Sequence, residues 1–300
     1  MSNVKPRVTV LLAAYNGMSW VEEQVKTILA QQGVDVSLVV SVDKSSDGTE
    51  DYFMRLAQED QRVNLLPIGL HFGGAGPNFY RLLRDTDFQS SDYVSFADQD
   101  DLWDLDKLRF SIDSLEQHNC SAFSSNVTAF WEDGSTCLID KAQPQRKWDY
   151  WFESAGPGCT FVLNKSLASD VKNFCIERTS ELNKFLLHDW FIYAFARMNG
   201  HKWVISPEST MQYRQHKNNQ VGTNNNLAAY IKRINQLKSG SFRLQVVLLQ
   251  NLLSGSVDGK PKVPVNGYLS SLKLLCNSGQ FRRRFRDRVA LQIFIILNLF

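Results

Sequence analysis

The segment Asp98-Gln99-Asp100-Asp101 places three carboxylates within four residues. Carboxylates this close repel one another, so a folded chain needs a counter-charge to hold them together. A divalent cation that prefers oxygen ligands, Mg²⁺ or Mn²⁺, is the usual counter-charge, and such cations often share their ligands with substrate phosphates. The alternative is an acidic helix N-terminus, where the charges favour the helix dipole. The position of the segment after a predicted strand and a second aspartate cluster favour the metal.

Asp43 begins that second cluster and also follows a predicted strand. A carboxylate at a strand end can accept hydrogen bonds from a nucleobase or from ribose hydroxyls, although a turn residue explains Asp43 equally well. The glycines at 73, 74 and 76 invite comparison with a dinucleotide-binding loop. Phe79 occupies the place of the third glycine, and the loop follows the third strand instead of the first, so that fingerprint is absent.

Apolar runs of strand length precede these polar residues. Strands are predicted at Val8–Tyr15, Val36–Val42, Val63–Ile68 and Tyr93–Ala97, with amphipathic helices at Trp20–Gln32 and near Asn78–Arg84. This rhythm predicts an α/β fold with a Rossmann-like, mostly parallel sheet flanked by helices. Ligands of such sheets bind at the carboxyl ends of the strands. We therefore expect Ala14-Tyr15-Asn16, Asp43 and Asp98–Asp101 to converge on one edge.

The pattern is less regular after residue 120. Strands are predicted at Ala122–Phe130, Thr160–Leu163 and Trp203–Ser206, and an aromatic-rich helix at Leu186–Met198. From about residue 228 the sequence predicts helical segments separated by Ser, Gly and Pro. We divide the chain into a principal domain at 1–225 and a helical C-terminal region at 226–300.

Composition narrows the function. Of 300 residues, 43% are hydrophobic, and 33 basic residues against 31 acidic ones give a net charge of +2, which argues against nucleic-acid binding. The five cysteines are scattered without a C-x-x-C pair, so neither a zinc site nor a disulfide framework is indicated, and reduced thiols suggest the cytoplasm. No signal segment is recognised, and no apolar run approaches the ~20 residues that span a bilayer.

Three segments of the first half resemble the N-terminal motifs of family 2 glycosyltransferases, which have the GT-A fold. They are Ala13–Gly17, Val42–Thr49 and Phe96–Trp103. Later segments resemble motifs of a subgroup often described as rhamnosyltransferases. They are Gly158–Thr160, His188–Trp190 and Tyr213–Asn219. The resemblance covers roughly residues 7–222, with departures at His71 and Lys217, where relatives often differ.

The resemblance implies a metal-dependent, inverting glycosyltransferase. It would move a sugar from a dTDP- or UDP-sugar to a hydroxyl of a saccharide or lipid-linked saccharide, in bacterial surface polysaccharide synthesis. Asp189 matches the position of the family's catalytic base. The donor nucleotide would be bound by Ala14, Tyr15, Asn16, Asp43, Asp98 and Gln99, and Mn²⁺ or Mg²⁺ by Asp98, Asp100 and His216. Candidates for contact with acceptor or phosphate are Asp101, Trp103, Gly158, Cys159, Thr160, His188, Arg214 and Lys217.

Arg282–Phe300 combines five arginines with a run of apolar residues. A short basic and apolar helix predicts peripheral contact with the anionic inner face of the plasma membrane. A packed C-terminal helix or a homodimer contact is nearly as well supported by the same residues.

Two other functions stay open at this point. A sugar-nucleotide pyrophosphorylase would need a glycine-rich, basic loop after the first strand, and Ala13–Gly17 offers none. A non-catalytic nucleotide-sugar binding protein would not need the Asp98-Gln99-Asp100 element or Asp189.

Overall fold

The computed structural model describes residues 4–216, 240–254 and 268–298. The strands are β1 (Arg7–Ala14), β2 (Asp35–Val42), β3 (Val63–Leu65), β4 (Tyr93–Ala97), β5 (Leu102–Trp103), β6 (Ala122–Phe130), β7 (Thr136–Ile139), β8 (Val162–Asn164) and β9 (Trp203–Arg214). The helices are α1 (Val21–Leu29), α2 (Thr49–Glu59), α3 (Ala75–Asp85), α4 (Lys107–Gln117), α5 (Lys165–Glu177), α6 (Thr179–Leu182), α7 (His188–Met198), α8 (Ser241–Ser254), α9 (Tyr268–Leu272) and α10 (Phe285–Ile296). Single 3-10 turns lie at Asp149–Trp151 and Gly158–Thr160, and a longer one at Lys273–Gln280.

The sheet has the order β3-β2-β1-β4-β8-β6-β9-β5, with β7 paired to β6. The first four strands are parallel, as the sequence predicts. Beyond them the sheet is mixed, because β8 runs antiparallel to both β4 and β6 while β6 and β9 are parallel. The fold is therefore α/β of the predicted class, with the parallel arrangement concentrated in the N-terminal half.

Helices cover both faces of the sheet, and β1 shows why its sequence is continuously apolar. Successive side chains of a strand point to opposite faces. Leu11 belongs to one apolar core and Val10 and Leu12 to the other, and all three are buried completely. A strand buried on both faces has no polar side to expose.

The C-terminal helices complete one of these two cores. Leu249 and Leu253 of α8 and Leu291 and Ile295 of α10 are buried in the same cluster as Phe191 of α7. The predicted boundary at residue 225 lies outside the described residues, so the division into domains remains a prediction.

The arginines of the C-terminal segment divide into two groups. Arg283 is buried against Asp149 and Glu153, and Arg282 and Arg284 pair with Glu153 and Asp140. Arg286 is 80% exposed, and it follows Phe285, which is 73% exposed. Most of the basic cluster therefore contacts the protein itself. In the described part of the chain, no helix is long and apolar enough to cross a membrane.

Candidate active site

The ends of β1 and β2 form one hydrogen-bonded unit. The backbone N–H of Asp43 donates to Ala14 O at 2.8 Å. Asn16 donates its backbone N–H to Ser45 Oγ at 3.0 Å and accepts from Ser46 N through Oδ1 at 2.8 Å. Asn16 has φ +43°, a left-handed conformation that asparagine tolerates better than most residues. The predicted convergence of Ala14–Asn16 with Asp43 is confirmed as geometry.

Gln99 connects the acidic segment to the same unit. Its side-chain amide accepts from Tyr15 N at 2.7 Å and donates to Tyr15 O at 3.0 Å, as a neighbouring strand would. A methyl group on Gly17 would collide with Gln99 Oε1, so the glycine at position 17 follows from the position of Gln99. Gln24, which the sequence did not single out, donates to Asp98 O at 3.0 Å.

The carboxylate of Asp43 is engaged by the loop after β3. Phe72 N and Gly73 N donate to it, each at 2.9 Å, and His71 Nδ1 lies 3.1 Å from Oδ1. Asp43 is only 3% exposed, whereas the His71 side chain is 71% exposed. Asp43 therefore fixes this loop at the edge where the donor nucleotide is predicted to bind.

Asp100 contacts His216, and both belong to the predicted metal site. Asp100 Oδ2 lies 2.7 Å from His216 Nε2, and the imidazole stacks on Trp20 with ring centroids 4.1 Å apart. Arg214 donates through Nε to Asp100 O at 2.8 Å and pairs with Glu23 at 2.6 Å. Arg214 thus supports the acidic segment from β9, and Lys217 lies outside the described residues.

Asp98 and Asp101 occupy a buried, negatively charged region. Burial raises the pKa of Asp98 to about 7, and the neighbouring charges of Asp100 and Asp189 add to the rise. Burial likewise raises the pKa of Asp101 well above its usual range. Among the residues that the structure describes, Asp101 Oδ2 is buried without a hydrogen-bond partner. Carboxylates crowded in this way need a nearby positive group as a counter-charge.

Lys107 supplies part of that counter-charge, and the sequence did not reveal it. Its side chain is 1% exposed, and its ammonium lies 3.7 Å from the centroid of the Trp103 ring. Burial lowers the pKa of Lys107 to about 8, against the opposing effect of Cys159 and Asp101. Lys107 and Ser111 are four residues apart and lie on the buried side of α4. A lysine on the apolar side of a predicted helix was the feature of the sequence that could have identified it.

The donor set fits a hard divalent cation only in part. Carboxylates, an imidazole and an orphaned buried oxygen are suitable ligands for Mn²⁺ or Mg²⁺. Within the described ranges, the three candidate ligand atoms that approach within 4.8 Å of one another belong to Asp98, Asp101 and Cys159. The predicted trio of Asp98, Asp100 and His216 does not form such a group, although Asp100 and His216 touch. The oxygen-rich chemistry fits the cation, and the exact ligand set stays a prediction.

Asp189 lies in the first turn of α7, close enough to Asp98 for their charges to interact. Burial raises the pKa of Asp189 to about 6, against the opposing effects of Trp190 N, Ser154 and Lys141. Trp190 N donates to Asp189 Oδ1 at 2.8 Å. A carboxyl group with this pKa is ionised at neutral pH and accepts a proton more readily than an exposed one.

His188 immediately precedes Asp189, and its side chain is packed among aromatic rings. Its ring stacks on Phe79 with centroids 4.0 Å apart, and burial lowers the pKa of His188 to about 3. The imidazole is therefore neutral at physiological pH.

The remaining acceptor candidates are mostly buried. Cys159 and Thr160 are 0% exposed and Trp103 is 4% exposed, and Thr160 donates to Pro157 O at 2.7 Å. Gly158 packs so tightly that an added methyl group would lie 2.5 Å from His188 Nε2. These residues shape the wall of the site, and direct contact with an acceptor stays a prediction for them. All five cysteines are free thiols.

Comparison with known proteins decides the family. The model of glycosyl transferase family 2 matches residues 9–171. The chain belongs to this family. It is 40% identical over 294 residues to the dTDP-rhamnosyl transferase RfbG of Shigella flexneri, an alignment that covers 96% of this chain and 100% of that protein. The chain is thus a rhamnosyltransferase-like glycosyltransferase, and membership disfavours the pyrophosphorylase and the non-catalytic binder.

Solved structures show the same fold at low sequence identity. S. aureus TarS 1–349 in complex with UDP-GlcNAc is 12% identical, with a TM-score of 0.60 over 98% of this chain and 80% of that one. The mannosyltransferase PcManGT from Pyrobaculum calidifontis, in complex with GDP-Man and Mn²⁺, is 17% identical, with a TM-score of 0.52 over 98% and 86%. At these identities the likeness establishes the GT-A fold of this glycosyltransferase.

Proposed function

We propose that this family 2 enzyme transfers rhamnose from dTDP-rhamnose to a hydroxyl of a saccharide or lipid-linked saccharide during synthesis of a bacterial surface polysaccharide. The single observation that carries the donor is the 40% identity, over 100% of its length, to a dTDP-rhamnosyl transferase. Tyr15, Asn16 and Asp43 lie at the hydrogen-bonded ends of β1 and β2. Their position supports a nucleotide site, because parallel α/β sheets bind ligands at the carboxyl ends of their strands.

The chemistry we propose is a single inverting displacement. Asp189 accepts the proton of the acceptor hydroxyl while that oxygen forms a bond to the anomeric carbon of the donor sugar. The bond from that carbon to the diphosphate breaks on the opposite face, and the nucleoside diphosphate leaves with the electron pair. Burial of Asp189 matches this task, since it raises the pKa of the base.

Three residues are proposed to hold a divalent cation for this reaction. They are Asp98, Asp100 and His216, on the strength of the Asp100–His216 contact at 2.7 Å and the crowding of carboxylates around Asp98. When bound, Mn²⁺ or Mg²⁺ would offset the negative charge that develops on the leaving diphosphate.

A panel of nucleotide sugars tests the donor. Titration calorimetry with dTDP-rhamnose, UDP-rhamnose, dTDP-glucose and UDP-glucose separates recognition of the base from recognition of the sugar. We expect the tightest binding, and slow hydrolysis to dTDP and free sugar, with dTDP-rhamnose. Equal affinity for all four would contradict the proposed donor. Binding without any hydrolysis or transfer would restore the non-catalytic alternative.

We further propose that the enzyme works at the cytoplasmic face of the plasma membrane through one exposed side of α10. Phe285, Ile293, Ile296 and Leu297 are 73%, 48%, 53% and 59% exposed, and Arg286 lies beside the first of them. Apolar side chains flanked by arginine suit an anionic lipid surface. The three preceding arginines contribute less, because they are 25%, 1% and 34% exposed and pair with acids of other segments. Arg286 pairs with the adjacent Asp287 and still exposes 80% of its side chain.

Point variants test this surface better than deletion, because deletion would also remove the buried Arg283. Phe285→Ser combined with Ile293→Ser should abolish co-sedimentation with vesicles of anionic phospholipid and leave hydrolysis of dTDP-rhamnose unchanged. Unchanged vesicle binding would exclude the surface. A wild-type dimer that these variants convert to a monomer, in light scattering, would assign it to a second copy instead.

A further inference from the structure

We infer that Arg283 is a positioning residue for catalysis, which holds residues 147–158 against the start of α7 and thereby orients Asp189. The inference rests on the proposed role of Asp189 as base. It gives the arginine-rich segment a function inside the enzyme that is separate from any contact with a membrane.

Residues 147–158, here called the bracing segment, contact the start of α7 at three points. Tyr150 O accepts a hydrogen bond from Trp190 Nε1 at 2.8 Å. The Ser154 side chain lies beside the Asp189 carboxyl group. A methyl group on Gly158 would lie 3.3 Å from Asp189 Cβ. The position of Asp189 therefore depends on where this segment lies.

The C-terminal region holds the bracing segment from the other side. Arg283 donates its backbone N–H to Glu153 Oε1 at 2.6 Å, and its guanidinium donates to Ser154 O at 2.7 Å. The same guanidinium lies 3.5 Å from Asp149 Oδ2, and the two side chains are 1% and 0% exposed. Two flanking contacts add to these, one from Trp148 N to Gln280 O at 3.1 Å and one between the rings of Phe152 and Phe281 at 4.7 Å.

The form of these contacts requires arginine. The planar guanidinium reaches Asp149 and the carbonyl of Ser154 at once, whereas a lysine ammonium is a point charge on a flexible stem. Arg197 and Tyr193 also contact Asp149, so a lysine at position 283 leaves the buried acid compensated. Arg283→Lys thus changes the geometry of the brace while it keeps the charge.

Charged or titratable groups of other elements also face Asp189. They are Asp98 after β4, Lys141 after β7, Tyr80 on α3 and the neighbouring His188. Arg283→Lys replaces none of them and keeps the positive charge at position 283.

The experiment compares Arg283→Lys, Ser154→Ala and the control Arg178→Lys, the same substitution at an exposed arginine that pairs only with Glu181 among the described ion pairs. Hydrolysis of dTDP-rhamnose gives kcat, KM and their pH profiles, titration calorimetry gives donor affinity, and thermal unfolding confirms the fold. We expect kcat to fall roughly tenfold to a hundredfold in Arg283→Lys, the scale of a small misplacement in an active site. Ser154→Ala should lower kcat in the same direction. Donor affinity should stay within about twofold of wild type, and Arg178→Lys should match wild type throughout.

Two results would overturn the inference. One is a folded Arg283→Lys and a folded Ser154→Ala that both keep wild-type kcat and pH profile. The other is a loss of donor affinity that parallels the loss of kcat, which indicates a purely structural role. The base itself is judged separately by Asp189→Asn: if that variant is inactive while Arg283→Lys is normal, the brace is wrong and the proposed base stands.

Discussion

Asp43 and Asp189 are acids from two halves of the site, and their surroundings differ. Asp43 has hydrogen-bond partners on both oxygens, two of them backbone N–H groups of the loop after β3. Asp189 accepts one backbone hydrogen bond, from Trp190, has the Ser154 side chain beside it, and lies close enough to Lys141 for their charges to interact. The carboxylate of Asp43 is thus occupied in holding the loop after β3. Burial raises the pKa of Asp189 to about 6, and a carboxyl group with a raised pKa is the better proton acceptor.

The wider halves repeat this difference. In the N-terminal half, Gln99, Asn16 and Thr49 use their side chains to satisfy backbone groups of neighbouring motifs. Around Asp189, His188 Nε2 is one of several polar atoms in the described part of the chain that are buried without a hydrogen-bond partner. The ends of β1 and β2 are held by their own hydrogen bonds, whereas Asp98, Asp101 and Asp189 are carboxyl groups whose pKa is raised by burial.

The largest effect is expected at the proposed base. Asp189→Asn preserves size but cannot accept a proton, so kcat should fall by ~10²–10⁴, with donor affinity nearly unchanged. In the wild type, kcat/KM should rise as the pH increases through about 6, since the base acts only when ionised. Rates of the wild type and of Asp189→Asn, measured between pH 5 and pH 8 at constant ionic strength, test both expectations.

The same substitution should stabilise the protein. Because the folded-state pKa of Asp189 lies above its ordinary value, the wild type loses stability as the pH rises through that interval. Asp189→Asn removes this cost, so its Tm should exceed that of the wild type at pH 8 and approach it at pH 4. A variant with wild-type turnover would place the base elsewhere, and a variant that loses donor binding would make Asp189 a structural residue.

The second effect concerns the acidic segment. Asp100→Ala removes both a proposed cation ligand and the partner of His216, so Mn²⁺- or Mg²⁺-stimulated turnover should be lost. Calorimetry with Mn²⁺ alone should show weakened binding, while thermal unfolding stays close to wild type. Full activity of the wild type in EDTA, together with a normal rate for Asp100→Ala, would remove the cation from the mechanism.

The smallest effect is expected at Gly17, next to the end of β1. Gly17→Ala would push against Gln99 Oε1, and overpacking of this kind costs about 1–3 kcal/mol. We expect a higher KM for the donor with kcat little changed. Gly279→Ala is the matched control, because a methyl group there meets nothing within 4 Å. Adding Gln99→Ala should relieve the clash, so a double variant that binds donor worse than Gln99→Ala alone would contradict this explanation.

Periodicity in the sequence was sufficient for the parallel half of the fold. Tyr93–Ala97 is a strand with the predicted bounds, and the first two strands differ from prediction by one residue at one or both ends. The third strand begins at Val63 as predicted and ends at Leu65, before the predicted end at Ile68. The mixed half was not predictable in the same way. β9 continues to Arg214, past the predicted end at Ser206. Its register with β6 shifts near Asn126, and the two strands then pair again as far as Phe130 and Arg214. Antiparallel pairing also joins strands far apart in sequence, for which periodicity carries no information.

Local motifs predicted the acids of the site but not their support. Asp43 and Asp98–Asp101 stood out because they end apolar strands. Lys107 and Arg283 act through burial and long-range contacts. A charged residue in a helix or in a basic run has the same sequence pattern whether it is buried or exposed, so the sequence did not distinguish them. The basic C-terminal segment shows this most clearly. Its composition supported a membrane surface and a packed helix almost equally, and the structure buries Arg283.

The brace at Arg283 also has a consequence for the order in which the molecule becomes competent. Hydrogen bonds at the ends of β1 and β2 join residues that are separated by 29, 30 and 84 positions in the sequence. Those of Arg283 join residues separated by 129 to 134 positions. Near neighbours in sequence meet sooner than distant ones, and folding during synthesis proceeds from the N-terminal side. In a nascent chain the proposed nucleotide site would thus form before the proposed base is in place. Such a chain would bind the donor before it is able to transfer the sugar.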